Sequence, residues 1–144
     1  MTGDVSVNHL HTVARLITIC LICLILLQDC AFNKPQSNSA LRVSFQGNMM
    51  ARGNNHRCNR WYFKINGNEC SGPMTIEAAV HNWWPSGNPE LLHHRSFEGY
   101  CENIPQGVVR VEVWVGECSG NTLGDGNTGW NSVSRIVTII WVPK

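Results

Sequence analysis

Charge is scarce in this chain. Lys, Arg, Asp and Glu make up 15% of its 144 residues, the formal net charge is +1, and the only lysines are Lys34, Lys64 and Lys144. With no basic block and no acidic run, electrostatics gives no attraction toward nucleic acid or an anionic membrane surface. No stretch reaches the roughly 20 consecutive apolar residues that cross a bilayer as a helix, so no stable membrane span is expected. Catalytic motifs are missing too: there is no G-x-S-x-G elbow, no phosphate-cradling glycine loop and no H-E-x-x-H. Glu69, Glu77, Glu98, Glu112 and Asp125 stand singly, and no spacing pairs two of them for glycoside chemistry. His93 and His94 are adjacent, so on a strand they point to opposite faces. Residues 32–144 hold neither C-x-x-C nor H-x-x-x-H, the local pairings of a zinc site. These absences predict a non-enzyme with no cofactor and no metal.

What is present fits one packed domain. Apolar residues are 43% of the chain and six are Trp, enough for one modest core. The N-terminus is of another kind: after Arg15 comes LITICLICLILL, an uncharged run from Leu16 to Leu27. That is the length of a signal-peptide apolar region. Residues 1–31 are therefore expected to be a signal peptide or signal-anchor, with a cut after Cys30 or Ala31, and residues 32–144 the folded domain. Of the seven cysteines, Cys58, Cys70, Cys101 and Cys118 then remain, an even set suited to disulfides in an oxidising compartment.

From Ser37 onward the pattern alternates with a period of two. Leu41, Val43 and Phe45 share one face, Trp61, Phe63 and Ile65 another, and Val109, Val111, Val113 and Val115 oppose Arg110 and Glu112. In MTIEAAVHN, Met74, Ile76, Ala78 and Val80 oppose Thr75, Glu77, Ala79 and His81. Asn66-Gly67 directly after WYFKI predicts a two-residue hairpin turn. Many short strands and no helix of ordinary length point to an all-β antiparallel β-sandwich or barrel. A hairpin at Asn66-Gly67 sets Cys70 opposite Phe63 and leaves Cys58 about 17 Å along the strand, too far for a disulfide. Cys101 and Cys118 flank a strand about 20 Å long. Crossed pairings remain: Cys58–Cys101 with Cys70–Cys118, or Cys58–Cys118 with Cys70–Cys101.

Two places suit partner contact. Trp83-Trp84 stands before Pro85 in a Pro/Gly loop, where an outward indole makes a contact anchor. The glycine-rich stretch GDGNTGW leads into the final strand, Val133 to Val142, with Asp125 and Asn127 near its tip.

Four motifs occurring in order give a resemblance: SNSALRV from Ser37, CNRWYFKINGNECSGP from Cys58, NPELLHHRSFEGYCENIPQGVVRVEVWVGECS from Asn88, and GDGNTGWNSVSRI from Gly124. Together they resemble the C-terminal domain of the collagen triple helix repeat-containing protein 1 family, with Cys58, Cys70, Cys101 and Cys118 each matching a family cysteine. The resemblance implies a secreted, matrix-associated protein with a C1q/TNF-like jelly roll that forms homotrimers. Its implied partners are Wnt and Frizzled/Ror-type receptors in the planar-polarity branch, with effects on matrix and cell migration. The implied alternative is a matrix structural or C1q-like collagen- or glycan-binding protein. The chain departs from the family in lacking any Gly-X-Y stalk and any N-x-S/T sequon. SNSALRV resembles the family's opening strand, and the apolar run stands where the preceding segment belongs. The expectation is a jelly roll that lacks its first strand or takes it from elsewhere.

Overall fold

The computed structural model describes residues 26–53, 56–83, 92–121, 123–127 and 135–143. Every regular element among them is a strand: β1 Leu26–Lys34, β2 Ser39–Arg52, β3 Arg57–Ile65, β4 Asn68–Glu69, β5 Glu77–Asn82, β6 His93–Cys101, β7 Gly107–Glu117, β8 Asp125–Asn127 and β9 Arg135–Pro143. The pairings are antiparallel throughout.

The period-two pattern decides which face each strand buries. In β7, Val109, Val111 and Val113 are wholly buried, while the Arg110 side chain lies outside. In β3, Trp61 and Phe63 are wholly buried and Arg60, Tyr62 and Lys64 face out. Burying a large apolar side chain is worth about 1.5–3 kcal/mol, so these alternating rows hold the strand register. Asn66 (φ 51°) and Gly67 (φ 83°) both take positive φ, as a two-residue turn matched to strand twist requires. That turn is fastened to β7, since the Arg110 amide donates to Asn66 Oδ1 at 2.8 Å and the Asn66 amide to the Arg110 carbonyl at 2.8 Å.

Two sheets result. In the first the order is β1-β7-β3, and the far side of β3 is shared by β4 and β5. In the second, β2 has β6 on one side and β9 and then β8 along the other. The apolar faces meet between the sheets. Phe97 of β6 lies 5.1 Å from Phe63 of β3 and 5.7 Å from Phe45 of β2, measured between ring centres. Gly99 makes room for Ile76, whose side chain would lie 2.8 Å from a Cβ placed there.

The structure corrects two expectations. SNSALRV is not the opening strand: β1 precedes it and pairs with β7 from Leu26↔Trp114 to Lys34↔Gly107, and Cys30 and Phe32 join the core. The strand ahead of SNSALRV is taken from the end of the apolar run, Leu26 and Leu27, and the residues that follow it to Lys34. Met74 does not share the buried row of Ile76, because pairing with β3 begins only at Glu77, and its side chain is 71% exposed.

The disulfides join Cys58 to Cys118 and Cys70 to Cys101. The first ties neighbouring strands, since Asn59 registers with Glu117. The second ties the β4 end of one sheet to the end of β6 in the other.

Candidate functional site

One end of the sandwich gathers residues far apart in sequence. β2 ends at Arg52 and β3 starts at Arg57, and Arg57 and Cys58 register with Asn82 and His81 of β5. The Cys58–Cys118 bond brings the end of β7 to the same place. Asn59, wholly buried, holds the following loop: its Nδ2 donates to the Met50 carbonyl at 3.2 Å and its Oδ1 accepts from the Gly124 amide at 2.8 Å. Gly124 must be glycine for this approach, because a Cβ there would lie 2.5 Å from the Arg52 carbonyl oxygen. Arg57 Nη1 reaches the Leu123 carbonyl at 3.4 Å. β8 then follows, with Asp125 in register with Arg52 and Asn127 with Met50.

Trp83 stands at this end just past β5, with 67% of its surface exposed. Two imidazoles hold its indole. The His81 ring centre is 4.6 Å away, and the His56 ring meets it edge-on at 4.9 Å. His56 has φ 49°, a left-handed conformation uncommon outside glycine, and this places its ring beside both partners, 6.5 Å from His81. The result is an exposed aromatic cluster braced by a disulfide, able to offer a flat apolar face with polar edges to a partner.

Of the sequence-predicted contact residues, the structure brings Trp83, Asp125 and Asn127 to this same end. Trp84 lies outside the described residues. His56 was missed, since nothing local in GNNHR marks it as a neighbour of Trp83. Cys70 and Cys101 lie at the opposite end, where Cys101 registers with Leu41 at the start of β2.

On the outer face of the first sheet, several charged and aromatic side chains of the described residues pair with one another. Arg110 forms an ion pair with Asp29, with Nε 2.9 Å from Asp29 Oδ1, and a second with Glu112 at 3.0 Å. The hydrogen bonds that the guanidinium donates to Asp29 push the Arg110 pKa up. Trp114 Nε1 donates to Glu112 at 2.8 Å, and the Lys64 ammonium sits 4.1 Å over the Trp114 ring. Arg60 pairs with Glu69 and Glu77 and covers the Tyr62 ring at 4.0 Å. On the second sheet, Arg42 pairs with Glu98 at 2.6 Å, and that hydrogen bond raises the Arg42 pKa.

Among the described residues no group of three or more His, Cys, Asp or Glu is placed to hold a metal ion, and no helix is long and apolar enough to cross a membrane. Fold and site together define a disulfide-braced antiparallel β-sandwich with an exposed aromatic cluster at one end. The model of one family, described as the C-terminal domain of CTHRC1, matches residues 21–138, and the chain belongs to that family. No solved structure matches the chain.

Proposed function

We propose that this protein is an extracellular binding protein that modulates Wnt–Frizzled signalling in the planar-polarity branch, with effects on matrix and cell migration. Membership of the CTHRC1 family across residues 21–138 carries the reading. The Trp83 patch supplies a place for contact, because a rigid, exposed indole loses little side-chain freedom on binding. Self-association into a homotrimer and engagement of Frizzled/Ror-type receptors with Wnt belong to the same proposal. A second reading, a matrix protein binding collagen or glycan, is favoured by one observation: the indole of Trp83, beside His56 and His81, is largely exposed, and an exposed indole suits contact with a sugar ring.

The test is titration of the secreted chain against a Frizzled cysteine-rich domain, with and without Wnt. Binding strengthened by Wnt and weakened by Trp83→Ala supports the first reading. No binding from a folded, disulfide-bonded sample overturns it, and retention of that sample on immobilised collagen or glycan establishes the second.

A further inference from the structure

The apolar run Leu16–Leu27 and the first strand overlap, because β1 begins at Leu26. A leader cut after Cys30 or Ala31 would therefore divide the strand. Cys30, 7% exposed and part of the core cluster, would leave, together with the pairing of Leu26 to Cys30 against Trp114 to Val111. Asp29 would go too, and Arg110 would keep only Glu112 of its two carboxylate partners. The buried valines of β7, Val111 and Val113, would lose their neighbour on that side, and half of β7 would become an apolar sheet edge open to other chains.

We propose that the secreted chain keeps β1 whole and that the cut releasing the leader lies upstream of Leu26. The sequence offers such a cut. A cut after Cys23 has that small residue at −1 and Leu21 at −3, and the apolar stretch Leu16–Ile22 behind Arg15 meets the minimum of about seven residues for a leader. The family match starts at residue 21, ahead of the strand and ten residues before the boundary at residue 31. The inference rests on secretion of the chain, as proposed above.

The experiment expresses the full chain in animal cells with a C-terminal tag and determines the N-terminal sequence and intact mass of the protein in the medium. The expected N-terminus is at or before Leu26, most simply Leu24. An N-terminus at Ala31 or Phe32 overturns the inference and leaves secretion standing, whereas full-length protein retained in the cells overturns both. Asp29→Ala gives an independent readout. The mature mass shifts by the Asp-to-Ala difference if residue 29 is kept, and an unchanged mature mass overturns the inference.

Discussion

Removing the two disulfides separately tests the division of labour between the ends of the sandwich. Cys58–Cys118 spans 60 residues and encloses Cys70–Cys101, which spans 31. On loop entropy alone these closures are worth about 4.3 and about 3.7 kcal/mol at 25 °C. Because they are nested, their contributions do not add. With the inner bond in place, the outer one closes an effective loop of about 30 residues and contributes about 3.6 kcal/mol. Thermodynamic closure then leaves about 3.0 kcal/mol for the inner bond when the outer is kept. The pairs Cys58→Ala/Cys118→Ala and Cys70→Ala/Cys101→Ala should therefore lower stability by similar amounts, read as loss of unfolding free energy in guanidinium titrations. Their local effects should differ. Loss of Cys58–Cys118 unfastens the strands beneath His56, His81 and Trp83 and should speed amide exchange from His56 to Cys58 and from His81 to Trp83. Loss of Cys70–Cys101 should act about 26 Å away, eight strand steps along β6, where the Glu102 amide bonds the Gly72 carbonyl at 2.7 Å. A cost below about 1 kcal/mol for either pair would refute the entropic reasoning. Faster exchange at Trp83 in the Cys70→Ala/Cys101→Ala protein would refute the separation of the ends.

Three further outcomes are expected. Asn59→Ala strands the Met50 carbonyl and the Gly124 amide and should cost about 2–4 kcal/mol in thermal or chemical unfolding, with faster amide exchange at Gly124 as the local sign. Gly99→Ala pushes a methyl against Ile76 and should destabilise by about 1–3 kcal/mol, whereas in an Ile76→Val background the cost should shrink; a neutral Gly99→Ala shows that the sheets separate without cost there. Lys34 is wholly buried, its ammonium donating to the Gln36 carbonyl, and desolvation lowers its pKa from 10.5. The folded chain therefore gives up this proton before the unfolded chain does. Between the lowered value and 10.5 the unfolded state binds more protons, so stability should rise with pH across that window and stay level below it. Lys34→Met should abolish the rise in urea midpoint and be neutral or stabilising near neutral pH, since Ser39 Oγ still donates to Gln36 at 3.0 Å.

Much of the sandwich was legible because alternation is local. Phe63 and Ile65 flank Lys64 in the sequence, and a strand has only one way to bury the first two while exposing the third. The Asn66-Gly67 turn was equally plain, as few residue pairs accept positive φ twice. β1 was hidden for a physical reason: its first residues continue an uncharged apolar run, and a membrane-targeting segment and a core strand both consist of such residues. Met74 was misplaced because a period of two cannot say where pairing starts. The candidate site was half legible. Trp83 stood out beside Pro85, but its companion His56 lies 27 positions earlier, and no local rule links the two.

Sequence alone determined the fold class, the faces of the principal strands and the family, since each depends on residue type at short spacing. It also narrowed the disulfides to two crossed arrangements by strand length. Tertiary structure decided which arrangement exists, by placing Cys58 beside Cys118 across β3 and β7 and Cys70 beside Cys101 across the two sheets. It decided that Leu26–Lys34 is a strand of the first sheet, because β7 pairs with that stretch. And it decided that His56, His81 and Trp83 form one patch, since contacts between strand ends depend on how the sheets register, a property of the whole chain that no short stretch carries.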